Sequence, residues 1–272
     1  LNNFKSIFSL LLNSKSRYFE IESIKLRVIK NCELGKKNSK IITRVDEIIT
    51  PNILAKGEWD LFIIKFIRKK FKKKLKYNFI DVGANIGFIT KQLIDTKIPI
   101  NKYFCIEPEK INFSILKKNL RNNPKVVFGN FALTNKNSGL KRIYLNKKNF
   151  GDYSLLRKRT KNSLLIETKN INLFLKGIIY KHSIKNIIYK SDIQGLDEIL
   201  ILSLKKEFIK KIEILIIEIS NFKYLETNIG KFLKLTKNFD HIEDTHGNKI
   251  DENDIIKKLN DKKEFNLLLA KN

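Results

Sequence analysis

Asn78-Phe79-Ile80-Asp81-Val82-Gly83-Ala84-Asn85-Ile86-Gly87 decides the fold. Phe79, Ile80 and Val82 form an apolar run suited to a buried strand, which ends in a glycine turn and passes into a helix expected near Ile86. In an α/β sheet, ligands bind beyond the carboxyl ends of the strands, where loop amides and helix N-termini offer donors. Gly83 and Gly87 are expected to let the backbone approach such a ligand, with Ala84 and Asn85 held between them. A second apolar run, Tyr103-Phe104-Cys105-Ile106, ends in Glu107, where a carboxylate is placed to accept both hydroxyls of a ribose. Strand, turn, helix, strand and acid together read as the half-site of a nucleoside cofactor.

The spacing separates two cofactors. A dinucleotide fingerprint reads G-x-G-x-x-G and aims a short turn at a pyrophosphate. Here the order is Gly83-x-Asn85-x-Gly87, and Asp81 stands at the turn. A carboxylate beside a pyrophosphate is repelled, whereas it suits the ammonium of S-adenosylmethionine (SAM). The charge therefore favours SAM over NAD. The plain alternative is a helix N-terminus whose glycines serve packing alone.

The remaining strands and helices alternate along the chain. Glu58 to Leu75 has helical spacing and ends in a run of bases from Arg68 to Lys74. These are read as a solvated face at a helix C-terminus, with a membrane-surface or RNA-facing stripe as the alternative. Glu109 to Arg121 is expected to be a helix stopped by Asn122-Asn123-Pro124, and Val126 to Phe128 a third strand. Beyond it, Asn130 is placed to hydrogen-bond an adenine and Phe131 to pack on it; a simple turn is the competing reading for Asn130. Gly139 to Leu145 alternates as an antiparallel strand, followed by the loop Asn149-Phe150-Gly151-Asp152-Tyr153-Ser154 and the bases Arg157, Lys158, Arg159 and Lys161. Leu164 to Thr168, Asn186 to Asp192 and the almost wholly apolar Ile212 to Ile219 read as strands, with helices after Leu196 and over 223–236. Phe239 to Ile242 and Phe265 to Leu269 complete an α/β, doubly wound sheet. Phe19 to Ile29 and Ile41 to Ile49 carry strand-like stretches, so residues 1–54 are read as a helix/strand extension and 55–272 as the main domain.

Composition bounds the partners. The chain has 272 residues, is 42% hydrophobic and carries a formal charge of +27. No apolar run approaches the length of a membrane-spanning helix, and Phe4 to Leu12 is too short. Cys32 and Cys105 offer no disulfide framework, which points to a reducing cytoplasm. The chain begins at Leu1 and contains no Met, so a start or leader is read as missing. The positive charge suits nucleic acid, lipid headgroups or a phosphorylated substrate. Against this, the abundance of Lys, Asn, Ile, Phe and Leu matches AT-rich coding, which spreads lysine without selection for a partner. His241 and His246 with Asp240, Glu243 and Asp244 read as a polar hairpin rather than a metal site.

With these pieces in order, the chain resembles the FkbM family of SAM-dependent methyltransferases. The resemblance rests on Ile80 to Gly87, Glu107-Pro108, Tyr153-Ser154-Leu155, Lys190-Ser191-Asp192-Ile193-Gln194-Gly195-Leu196-Asp197 and Ile217-Glu218, and covers roughly residues 55–270. It implies a Rossmann-like seven-stranded sheet with a C-terminal antiparallel hairpin and O-methyl transfer to a hydroxyl of a sugar, glycan or secondary metabolite. The family pattern in the fourth-strand motif is D-x-E-G-x-E; Gln194 and Asp197 stand where it has glutamates, and Asn172 where it tends to have Asp. Asp192, at a strand end facing the crevice, is the candidate catalytic base. Ser154 and Lys190 are the candidate substrate-holding residues. A nucleic-acid methyltransferase and an inactive SAM-fold scaffold are the rival readings.

Overall fold

The computed structural model describes residues 18–24, 39–44, 48–49, 59–146, 148–156 and 162–272. The bases Arg157, Lys158, Arg159 and Lys161 and the segment Phe4 to Leu12 lie outside the described residues, as does Cys32.

The first elements among the described residues are β1 (Tyr18–Ile24) and β2 (Ser39–Arg44), an antiparallel pair. Next come α1 (Leu61–Lys70), β3 (Tyr77–Val82), α2 (Phe88–Asp95), β4 (Ile100–Ile106), α3 (Lys110–Leu120) and β5 (Val126–Gly129). A small insertion follows: β6 (Ala132–Thr134), β7 (Gly139–Tyr144) and β8 (Ser163–Asn170), then α4 (Ile171–His182). The second half holds β9 (Asn186–Ser191), α5 (Asp197–Leu202), α6 (Lys206–Ile209), β10 (Ile212–Ile219), α7 (Phe222–Thr236), β11 (His241–Glu243), α8 (Glu252–Asn260) and β12 (Phe265–Ala270).

Seven strands make the central sheet in the order β11-β12-β10-β9-β3-β4-β5. β3, β4, β5, β9 and β10 run parallel, while β12 runs antiparallel to both β10 and β11. The α/β, Rossmann-like doubly wound sheet with a C-terminal antiparallel pair, β11 and the reversed β12, is therefore present. A dinucleotide fold continues its second half with a sixth parallel strand; here the last strand enters that place backwards. The chain reverses direction across the sheet between β3 and its neighbour β9, which is the switch point where α/β sheets bind ligands.

The core explains the register. Every residue of β3 is buried, and β10 exposes only Glu213 and Glu218 in part, because helices cover both faces of the parallel sheet. One apolar cluster includes Ile80, Phe104, Tyr189, Leu215 and Phe232; the other includes Phe79, Tyr103, Ile188, Ile214 and Leu268. These sets alternate along the strands, as two-sided burial requires. The insertion strands form a separate sheet, β6-β8-β7, beside the carboxyl end of the main one. Asn119 of α3 anchors the N-terminal pair: its side chain accepts from the Ile42 amide at 2.8 Å and donates to the Ile42 carbonyl at 2.9 Å. Its amide also donates to the Ile86 carbonyl, so the extension is tied to the glycine turn itself.

Three helices escape the sequence reading, the four-residue α6 among them. α4 is capped by Asn170, whose side chain accepts from the amides of Asn172 and Leu173, and α8 begins in a capping box between Asp251 and Asp254. The helix expected over 58–75 is shorter, because Phe71 turns extended after Lys70. Among the described residues no cluster of His, Cys, Asp or Glu could hold a metal, and no helix is long and apolar enough to cross a membrane. The histidine segment is a turn in which Asp244 accepts from the amides of His246 and Asn248.

Candidate functional site

A cavity of about 350 Å³ opens beyond the carboxyl ends of β3, β4, β9 and β10. The first wall is the glycine turn, where Gly83, Ala84, Asn85 and Ile86 line the space. The turn satisfies itself. The amides of Gly83 and Ala84 donate to the Ile106 carbonyl, that of Asn85 to Glu107 Oε2 at 2.9 Å, and that of Gly87 to the Ala84 carbonyl. Few donors of this turn are left for a phosphate.

Gly87 serves packing, whereas Gly83 lines the cavity and is also held to glycine by its neighbour. Gly83 has φ +73°, and a Cβ there would lie 2.1 Å from the Asp192 carbonyl oxygen. Gly87 has φ +82°, and its Cβ would meet Leu116 of α3 at 2.6 Å; Gly87 is not among the lining residues.

Asp81 also departs from expectation. Its carboxylate is fully buried beneath the turn, 3.0 Å from Lys190 Nζ, and accepts from the Thr90 hydroxyl at 2.7 Å. Lys190 Nζ donates onward to the Gly83 carbonyl at 3.0 Å. Direct contact between Asp81 and a cofactor ammonium is thus replaced by an internal ion pair that clamps β9 to β3. Burial disfavours charge on Lys190, but Asp81, Asp192 and Asp60 outweigh it and hold the ammonium above the ordinary lysine range. Lys190 still lines the cavity, though its charge is spent below the surface.

The second wall carries acids. Glu107 sits at the end of β4, its Oε1 accepting from the Glu109 amide and its Oε2 from the Asn85 amide. Burial pushes its carboxyl up to about 7, against the pull of those two amides. Each carboxylate oxygen can accept a further hydrogen bond, so Glu107 can still receive hydroxyls from the cavity it lines. Phe131 follows β5, is buried edge-on to Phe174 at 5.7 Å, and carries Lys169 Nζ 4.1 Å over its ring. Asn130 is turned away from the cavity. Its side-chain amide donates to the carbonyls of Glu107 and Pro108 and braces the bend after β4.

The third wall is the loop after β9. Asp192 lines the cavity, and Gln194 Nε2 donates to Asp192 Oδ1 at 3.0 Å and to Glu218 Oε2 at 3.1 Å. Gln194 adopts φ +57°, which turns its side chain between the two acids. A glutamate there would bring three carboxylates together, so the amide substitutes a double donor for a repulsion. Asp197 closes the loop from behind, accepting from the Ser191 hydroxyl and the Ile193 amide; burial pushes it up to about 7. Ser154, expected to hold substrate, is buried and not among the lining residues. Its Oγ donates to the Gln194 carbonyl at 2.8 Å and fixes this loop from the insertion side. Asn172 likewise braces structure, bonding the Ser203 carbonyl and the Lys205 amide.

Sequence reasoning misses Asp60, Glu264 and Asn266, which also line the cavity. Asp60 precedes α1 as an N-cap residue yet makes no side-chain cap bond and adopts φ +47°. An acid at a cap position that does not cap is freed to face elsewhere, but only coordinates reveal this. Burial and Asp192 push its carboxyl up to about 6. Among the described lining residues the acids are Asp60, Glu107, Asp152, Asp192, Glu218 and Glu264, and the only base is Lys190.

No protein-family model matches this chain, and no curated protein matches it. Among solved structures the chain is similar to the methyltransferase FkbM from Methylobacillus flagellatus, at 19% identity and TM-score 0.44, covering 81% of this chain. The chain spans about half (52%) of the length of that structure. It is also similar to the human methyltransferase 10 domain containing protein (12% identity, TM-score 0.41, 99% of this chain and 96% of that one). A third similar structure is the N-terminal domain of human METTL16 in complex with SAH (12% identity, TM-score 0.39, 91% and 80%).

Proposed function

We propose that the protein is a SAM-dependent methyltransferase acting on a hydroxyl of a sugar, glycan or secondary metabolite. One observation carries this reading: the cavity at the switch point is lined by acids, and the only lysine among its described lining residues is neutralised beneath the turn. Such a lining attracts the sulfonium and ammonium of SAM and repels a diphosphate. The turn, having donated its own amides internally, makes a poor pyrophosphate cradle. The preference for SAM that the sequence assigns to Asp81 thus falls to the lining acids instead.

The residues divide the work. Glu107 receives ribose hydroxyls, Ala84 and Asn85 form the floor, and Phe131 packs on the base. Bound SAM would supply a methyl already electrophilic on its sulfonium. The chain must then align an acceptor oxygen, an effect of roughly 7–11 kcal/mol, and remove its proton, worth about 10²–10⁴-fold. Asp192 is the base. Gln194 holds Oδ1 of that carboxylate. Glu218, held by the same amide, and Asp60 flank the acceptor.

The acid lining weighs against a nucleic-acid acceptor, whose phosphates would meet carboxylates at the entrance. Incubation with methyl-labelled SAM and separate panels of saccharides, hydroxylated small molecules and RNA tests the assignment. Label on a hydroxyl of one of the first two classes is expected; label on RNA alone would overturn the acceptor assignment.

A further inference from the structure

The end of the sheet opposite the cavity has the reverse charge. β10, β9 and β3 are adjacent and parallel, so the connections entering them lie side by side. They touch: the Asn186 side chain donates to the Lys76 carbonyl, and the Ile187 amide to the Lys211 carbonyl. The connection into β3 carries Lys72, Lys73, Lys74 and Lys76, and that into β10 carries Lys205, Lys206, Lys210 and Lys211. Glu207 lies among the bases of the second connection, and Glu213 is spent on Lys72 and Lys271. Lys73, Lys74 and Lys76 are exposed and make no ion pair among the described residues. Beside the entrance of β9, Tyr180 in the last turn of α4 is 90% exposed.

Acids line the cavity at one end of the sheet, whereas the connections at the other end carry clustered lysines. Strands at roughly 4.8 Å spacing spread the bases into a broad array rather than a groove. Parallel strands of six to eight residues separate it from the cavity by roughly 20 Å or more. A nucleic acid gripped there could not present its bases to the acid-lined mouth. A flat anionic surface fits, because it engages all the lysines at once and leaves the cavity facing away. We propose that this basal face docks on anionic lipid headgroups, with Tyr180 at the interfacial level.

The test is co-sedimentation of the full chain with vesicles of phosphatidylcholine alone, and with phosphatidylglycerol added. Binding is expected only to the anionic vesicles, weakening steeply with salt. Lys73→Glu/Lys74→Glu/Lys76→Glu should lower it at least ~10-fold, since each base near a charged surface contributes about fivefold. Lys205→Gln/Lys210→Gln, on the neighbouring connection, should also weaken it. Lys249→Glu/Lys262→Glu/Lys263→Glu, at the other end and with the same charge change, should alter binding by less than about twofold. Absence of vesicle binding, equal loss in both triple variants, or binding to single-stranded RNA but not to vesicles would each overturn the proposal.

Discussion

Gln194 shows how one residue sets the chemistry of a site. Its amide sits between two acids and donates to both. Gln194→Glu replaces those donations with a third carboxyl, and one of the three is then expected to hold a proton near neutrality. The pH–rate profile should gain an ionisation between about 5 and 8; an unchanged profile would remove Gln194 from the site's electrostatics. Asp192→Asn keeps the shape of the base but not its proton affinity. Turnover should fall about 10²–10⁴-fold while SAM affinity measured by calorimetry stays within a few-fold, and unchanged turnover would reject Asp192 as base. Much of this was legible: Asp192, Glu107 and the glycine turn line the cavity where their spacing put them. Asp81, Ser154 and Asn130 were not readable as braces, because a sequence names a polar residue without saying which way it faces.

At the scale of elements, the glycine turn is a joint between three segments. Gly83→Ala would force φ +73° on a residue with a Cβ and press that carbon into the Asp192 carbonyl. The β9 loop must then shift, so thermal stability should fall and SAM binding should weaken at least ~10-fold; a variant with wild-type affinity would show that the two loops are not coupled. Strands β3, β4, β9 and β10 were legible because burial on both faces leaves largely continuous apolar runs, and the half-buried edge strand β5 by its short run Val126 to Phe128. α4 was not. Its Ile171, Leu175 and Ile179 keep helical spacing, but Gly177 and the β-branched residues around it mimic a loop or strand. α8 is mostly polar outside Ile255 and Leu259, so its capping box was the one available signal.

For the molecule as a whole, the reversed strand β12 joins sheet edge to centre, and Leu268 is 1% exposed within it. Leu268→Ala should cost about 2–5 kcal/mol in chemical denaturation; a loss below about 1 kcal/mol would mean that β12 is not part of the cooperative core. Buried acids add a pH dependence. Glu107 and Asp197, each pushed up to about 7, hold protons in the folded chain that the unfolded chain has released. Their contribution is full at low pH and lost as pH rises toward 7, so from these groups Tm should fall across roughly pH 4.5 to 7. Glu107→Gln should flatten that slope, and an identical slope would exclude Glu107 as a source. The net charge was legible in composition, but its separation into an acidic mouth and a basic base appears only when the sheet orders its connections. The acidic mouth bears the most weight, and calorimetric titration of the intact protein with SAM and with NAD, in separate runs, tests it most directly. Saturable binding of SAM at one site with no heat from NAD is expected; saturable NAD binding, with SAM inert, would contradict it.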